Sequence, residues 1–171
     1  MTGKVDLMIS IIKAGNGMNI AGQGIKIMLF TLPFVIAALL VQWSMPEKAA
    51  IPLSREIRTW VGLLFLIPGC LLWFTAVVQL MTVFPRGKLA TNGAYGFCRN
   101  PIYASFIIFI LPAIAFLTGT WIYLCVSGAL WIGVALFIKK EESRLYEIFG
   151  AEYEEYHVTV GRILPLMTIP R

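Results

Sequence analysis

The chain has 171 residues, 58% of them hydrophobic and 13% charged, with a mean hydropathy of +0.80 and a formal net charge of +5. A soluble domain carries about 25% charged residues, so the composition excludes a water-soluble globular protein and points to one compact integral membrane unit, residues 1–171. The basic residues are scattered and form no stripe, which excludes nucleic acid and leaves the bilayer and its anionic headgroups as partners.

In chain order, "KVDLMISIIK" (4–13) sets Asp6, Ser10 and Lys13 on one helical face against an apolar remainder, the pattern of a helix lying in the membrane interface. The glycine-rich "GNGMNIAGQG" that follows has no preceding strand and the wrong spacing for a dinucleotide loop, so it reads as a connector, with residues 1–26 forming an interfacial N-terminal segment. Apolar runs long enough to span a bilayer cover about Ile27–Trp43, Thr59–Phe84, Pro101–Leu117 and Trp121–Ile138. Pro68-Gly69 predicts a kink in the second. Only "TGT" (118–120) separates the last two, which makes them a tight antiparallel hairpin. The expected fold is therefore all-α: a polytopic helical bundle of about four spans (27–138), then a charged, aromatic C-terminal helical segment (139–171). Eleven Lys and Arg residues fall on the N-terminal segment, the 85–100 loop and the C-terminal tail, against three (Lys48, Arg55, Arg58) on the 44–58 loop. The positive-inside bias puts both termini and the 85–100 loop in the cytoplasm.

Cys70, Cys98 and Cys125 suit neither a disulfide framework nor a metal site, and His157 is a lone histidine, so no metal is expected. The spans hold only Gln42 and Gln79 as amide side chains and no ionisable Asp, Glu, Lys, Arg or His, which argues against a pump or proton relay. Gln79 reads as interhelical packing or as a wall of a substrate tunnel.

Two stretches concentrate polar chemistry: "GKLATNGAYGFCRNPIYASF" (87–106) and "KKEESRLYEIFGAEYEEYHVTVGRILP" (139–165). Each feature has an ordinary reading: a turn at Asn92-Gly93, a first-turn proline at Pro101, a solvated cap at "KKEE". The hairpin, however, must bring the two stretches together, so that Arg99, Asn100 and Tyr103 approach Lys139, Lys140, Glu141 and Glu142. Carboxylates at this depth need partners and mark a site. There is no Walker-type loop and no nucleophile–histidine pair.

These two stretches resemble the isoprenylcysteine carboxyl methyltransferase and phospholipid methyltransferase group of small integral membrane enzymes. The matching positions are Leu89, Thr91, Gly93, Tyr95, Arg99, Asn100, Pro101 and Tyr103, then Glu141, Glu142, Leu145, Phe149, Gly150, Tyr153 and Tyr156, and finally Val160, Arg162 and Pro165. The resemblance implies methyl transfer from S-adenosylmethionine to a lipid-like or lipidated acceptor in the membrane, with the cofactor under the C-terminal segment and the acceptor's tail entering from the bilayer. Carried onto this chain, it suggests cofactor contacts by Leu89, Gly93, Tyr95, Asn100, Tyr103 and Glu142, with Glu142 on the cofactor's ammonium. Arg99, Glu141 and Arg162 then serve catalysis, the arginines by holding or steering a carboxylate and Glu141 as support or base. Asn100 stands where prenylcysteine enzymes carry His, and Gly161 where proline is usual; the acceptor expected is the carboxylate of an isoprenylcysteine-like substrate, with a phospholipid amine as the alternative. The rival reading is a non-enzymatic membrane accessory subunit.

Overall fold

The computed structural model of the chain describes residues 20–83 and 86–164, with side chains from Gln23 onward. The interfacial helix expected at 4–13 and the motif's Pro165 lie outside the described residues. The fold is all-α, with helices α1 (Ile20–Ser44), α2 (Arg55–Val83), α3 (Ala94–Phe97), α4 (Pro101–Thr118), α5 (Ile122–Phe137), α6 (Lys139–Phe149) and α7 (Ala151–Thr159). Three of them are long and apolar enough to cross a membrane: α1 from Gln23, α2 and α4. The α5–α6 pair, bent by 45° at its junction, passes the same test only when its two helices are taken together, which gives three to four candidate spans.

The connector expected over the glycine-rich stretch ends sooner than its composition suggests. Helix α1 already begins at Ile20 and takes in Gly24. A helical glycine costs about 1 kcal/mol, which is outweighed here by packing of the first turns: Gln23 and Ile27 are buried, and Gly24 backs onto the Tyr103 hydroxyl.

Helix α1 packs mainly on α5, and α2 mainly on α4. Helix α2 runs unbroken through Pro68. Gly62, Gly69 and Ala76 are buried at seven-residue spacing along it. A Cβ on Gly62 would lie 2.6 Å from Leu117 Cγ, and one on Gly69 would lie 2.7 Å from Phe109 Cβ. In lipid, where burying apolar surface gives helices no preference for one another, this close approach is what joins them. Gly69 thus lets α4 against α2, whatever bend Pro68 adds.

At the expected hairpin, α4 ends on Gly119 in a left-handed conformation (φ 75°), whose N–H returns to the carbonyls of Ala115 and Phe116. The 45–54 loop closes over this turn: Ile51 N–H donates to Gly119 O (2.8 Å) and Trp121 N–H to Ala49 O (3.0 Å). Within α4, Ser105–Ile110 is wound as a π-helix, and Ser127 of α5 donates to the Ile107 carbonyl (2.5 Å). Three apolar clusters follow the long axis. Ala38, Ala115, Tyr123 and Val126 sit near the 45–54 loop. Ile27, Cys98, Ala104, Val134, Ile138 and Ile163 sit toward the other end. Phe149, Tyr153 and Tyr156 pack beyond them against Leu89 and Tyr95.

The helix contact generates a paired expectation. Gly69→Val overpacks the α2–α4 seam and lowers stability by about 1–3 kcal/mol. Gly128→Ala, whose Cβ would meet nothing within 4 Å, is neutral or stabilises by up to about 1 kcal/mol. Thermal unfolding of both variants in detergent checks the contrast.

Candidate active site

The two polar stretches do meet. Arg99 N–H donates to Gly161 O (2.8 Å) and Asn100 N–H to Arg162 O (3.1 Å), so the segment after α7 lies along the residues entering α4. The Asn100 side chain does not cap α4; its Nδ2 adds a bond to Arg162 O (3.3 Å). Pro101 takes the first turn, where its missing N–H costs nothing. The Tyr156 hydroxyl donates to Tyr95 O (2.7 Å) and ties α7 to α3.

The strongest contacts converge on Glu142. Arg162 grips its carboxylate with two nitrogens, Nε to Oε1 at 3.0 Å and Nη2 to Oε2 at 2.6 Å, the bidentate geometry that makes Arg–carboxylate pairs strong. Arg99 Nη2 lies 3.4 Å from Oε1. The Glu142 side chain is 11% exposed, Arg99 8% and Arg162 33%. One carboxylate is thus shared by two guanidinium groups, and the trio is left with a positive charge. Arg99 Nε and Nη1 are buried without a hydrogen-bond partner, an arrangement that costs free energy unless a ligand completes it.

Glu141, the neighbouring residue, is placed differently. Among the described residues its carboxylate has no ion-pair partner. Burial, and then the charge of Glu142, raise its pKa to about 7. Burial also raises Tyr153 to about 12, with Glu142 adding to it. Tyr95 is raised by burial and then by Glu141, and Tyr156 by burial and then by Cys98. These tyrosines are therefore neutral hydroxyls at neutral pH, donors rather than bases. Burial lifts the Cys98 thiol to about 11, which removes it as a thiolate nucleophile.

All of this borders a cavity of about 580 Å³, a size that suits a small-molecule ligand. Its polar end carries Arg99, Asn100, Glu141, Glu142, Tyr95, Tyr103, Tyr153 and Tyr156. Its apolar end is lined by Ile27, Met28, Thr31, Leu32 and Val35 of α1, with Leu80 of α2, Phe106 of α4 and Leu130 of α5. Helices α1 and α2 both border it yet make no extensive contact with each other, so the apolar end sits at a lateral gap in the bundle.

Of the residues singled out from sequence, Leu89, Tyr95, Arg99, Asn100, Tyr103, Glu141 and Glu142 line this cavity. Gly93 does not: the space over it is filled by the Gln79 amide. Arg162 reaches the site through Glu142 rather than by lining it. The α1 residues went unforeseen, because in a span whose one hydroxyl on this side, Thr31, is bonded to its own helix, little distinguishes a cavity wall from a lipid-facing side. Tyr153 and Tyr156 carried a signal, their three-residue spacing on one helical face. Among the described residues no cluster of metal-ligating side chains occurs.

With this geometry, removing the Glu142 charge strands two guanidinium groups. Glu142→Gln lowers stability by about 3 kcal/mol, near the low end for breaking a buried pair because Arg162 is partly solvated. Denaturant unfolding of the detergent-solubilised variant measures it.

Comparison with known proteins gives distant methyltransferase relatives. A probable protein-S-isoprenylcysteine O-methyltransferase of Oryza sativa is 30% identical over 118 residues, 64% of this chain and 62% of that protein. The protein-S-isoprenylcysteine O-methyltransferase of Schizosaccharomyces pombe is 34% identical over 79 residues, 46% of this chain and 34% of that protein. Methanethiol S-methyltransferase 1 of Bradyrhizobium diazoefficiens is 34% identical over 82 residues, 47% of this chain and 27% of that protein. The chain therefore spans less than two thirds of the length of each of these relatives. No family model and no solved structure matches it.

Proposed function

We propose that this distant homologue of isoprenylcysteine O-methyltransferases and a methanethiol S-methyltransferase moves a methyl group from S-adenosylmethionine to a membrane-embedded amphiphile. The observation that carries the reading is one cavity with two characters: a charged, hydroxyl-rich end, and an apolar end at a lateral gap between two spans. From the basic-residue bias, the polar end faces the cytoplasm.

The residues fit an amino-acid-bearing nucleoside. The Arg99 guanidinium at the cavity wall suits a carboxylate, and Glu141 suits an ammonium. Tyr95, Tyr103 and Asn100 offer polar groups to the remainder, and Leu89 an apolar wall. Glu142, committed to Arg162 and Arg99, orients the arginines instead of meeting the ammonium itself. S-adenosylmethionine supplies an already activated methyl on its sulfonium, so the chain's work is to position the partners and exclude water. A carboxylate acceptor such as an isoprenylcysteine needs no base, which agrees with neutral tyrosines and an engaged Glu141. The methanethiol relative supports a second reading, a sulfur acceptor; a phospholipid amine would need Glu141 as base.

Glu141 makes cofactor binding pH-dependent. Its raised pKa leaves it mostly neutral below about 7, and an ammonium pairs with the ionised form. Affinity for S-adenosylhomocysteine therefore climbs by up to about tenfold per pH unit as pH rises toward 7, then levels off. In the free protein the same shift acts oppositely on folding. The folded state holds the proton more tightly than the unfolded state, so the Glu141 contribution to stability falls as pH rises from the ordinary carboxylate range to about 7. Calorimetric titration between pH 5.5 and 8 reads the binding effect. Glu141→Gln flattens the profile and weakens affinity by about tenfold to a hundredfold, a charge-assisted bond. A flat wild-type profile overturns the assignment of Glu141.

The acceptor is tested by incubating the protein with methyl-labelled cofactor and membrane extract, then separating organic and aqueous phases. Label moves into the organic phase, and a prenylated cysteine is methylated faster than its tailless analogue, because each buried methylene contributes about 0.8 kcal/mol. Phosphatidylethanolamine and methanethiol run alongside. Label confined to small water-soluble products, at equal rates for tailless acceptors, overturns the amphiphile reading.

A further inference from the structure

Gln79 is a polar side chain near the end of the α2 span. It does not line the cavity, although its neighbour Leu80 does. Neither interhelical packing nor a tunnel wall describes where its amide goes. Oε1 accepts from Ala94 N–H at 3.0 Å, and Nε2 donates to Asn92 O at 3.3 Å. One side-chain amide thus brackets Gly93 from both sides.

The backbone there is shaped to receive it. Gly93 sits at φ 59°, ψ −125°, a conformation that L residues rarely adopt, and a Cβ on it would lie 2.3 Å from Gln79 Nε2. Asn92 O accepts from the Tyr95 N–H of its own turn at 3.2 Å and has its second lone pair for the amide. The Ala94 N–H begins the one-turn helix α3, whose first N–H groups have no partner within the helix. The next residue, Tyr95, presents its side chain to the polar end of the cavity and its carbonyl to the Tyr156 hydroxyl. Tyr156 in turn belongs to the cluster that packs α7 over the site.

We infer that Gln79 is a positioning residue. It fixes the 92–95 backbone to the membrane-embedded α2, and through that backbone it sets Tyr95 and the Tyr156 contact that close the polar end of the cavity. The consequence is a mechanical link between the bilayer part of the molecule and the ligand-facing loop. The α2 helix carries Leu80 in the apolar end and Gln79 on the loop, one residue apart. The inference rests on the proposed methyl-donor reading for its ligand, but the Gln79 contacts themselves do not.

The test uses the full-length protein in detergent, with Gln79→Met, which keeps length and volume and removes both hydrogen bonds, and Gln79→Glu, which keeps the acceptor for Ala94 N–H but sets a carboxylate against Asn92 O. Two readouts run together: amide hydrogen exchange over 92–97 and 151–160, and calorimetric titration with S-adenosylhomocysteine. For Gln79→Met, exchange in both segments rises at least tenfold while that of α5 is unchanged, and affinity falls about tenfold. Gln79→Glu lies between Gln79→Met and wild type in both. Wild-type exchange over 92–97 overturns the inference, as does raised exchange with affinity within twofold of wild type. So does weakened binding with unchanged exchange, which would mean that Gln79 meets the ligand directly. If the unmodified protein does not bind S-adenosylhomocysteine, the methyl-donor reading falls and the inference with it, while the exchange data separately report whether the loop is held. Gly93→Ala adds a check on geometry. Its effect on exchange is smaller in the Gln79→Ala background, where the amide it would strike is gone; equal effects in the two backgrounds overturn the bracket.

Discussion

The carboxylate of Glu142 is where three separate parts of the chain are made to agree. Arg99 comes from the residues entering α4, Glu142 from α6 just past the bend, and Arg162 from the segment after α7. Two nearly buried charges and a third that is partly solvated are expensive to desolvate, and their mutual attraction roughly offsets that cost, so such a cluster adds little net stability. What it adds is definition. Only one arrangement gives Arg162 both carboxylate oxygens while leaving Arg99 within reach of one, and the backbone bonds from Arg99 and Asn100 to Gly161 and Arg162 fix the register in which this occurs. A cluster of two cations and one anion also leaves a charge unspent. Arg99, whose side chain borders the cavity next to Tyr153, carries part of that charge. On the proposed reading, the cluster that closes the C-terminal segment over the bundle also leaves positive charge for an anionic group of the ligand.

The membrane part supplies a frame that is tight in one direction and loose in another. Small residues let α2 and α4 approach closely, and the Gly119 turn holds α4 to α5. Helix α1 is fastened to α5 instead of to α2. The seam between α1 and α2 is consequently the place where the bundle is not closed, and it runs beside the cavity's apolar end. In a soluble protein such a gap would be an exposed apolar cleft; in lipid it costs little, because hydrocarbon tails are as apolar as the residues lining it. The polar end faces the opposite demand. Its hydroxyls and charges lie among buried tyrosines, and the resulting desolvation, with the charge of Glu142 added, carries Glu141 to about 7.

Much of this was legible in the sequence, for reasons that also mark the limits. The hairpin follows from three residues between two apolar runs, and it forces "CRNPIY" against "KKEE" without any knowledge of side chains. Seven of the residues singled out as site candidates line the cavity because they stand on the two stretches so joined. Roles were harder. Glu141 and Glu142 are adjacent and chemically identical; only their directions on α6, about 100° apart, decide that one meets two arginines and the other meets none. Gly93 read as room for a ligand, whereas the side chain that fills that room belongs to a residue fourteen positions earlier on another helix. Local composition cannot report such a long-range contact. The π-wound turn at Ser105–Ile110 and the cavity-facing side of α1 leave no clear pattern, because those runs are apolar apart from Ser105 and Thr31, whose hydroxyls return to carbonyls of their own helices.

The positions of the two carboxylates bear on why the site stands at the bend and not within a span. An ionisable group deeper in the bundle would need compensation from span interiors that carry no Asp, Glu, Lys, Arg or His, and its cost in hydrocarbon would be several kcal/mol. At the 45° junction of α5 and α6 the chain changes direction just where the charged run begins. Glu141 and Glu142 therefore project from the first turn of α6, at a helix N-terminus whose dipole favours negative charge. Glu142 is neutralised by arginines that arrive from loops and not from spans. Glu141 is left in reach of the cavity, poised between its neutral and ionised forms. On the proposed reading, an incoming ammonium would settle Glu141 in its charged form and an incoming carboxylate would complete Arg99. A zwitterionic ligand satisfies both groups at once, while a singly charged analogue leaves one of them buried and uncompensated. On that reading, selectivity for a zwitterion would follow from the opposite charges of Arg99 and Glu141 at the cavity wall.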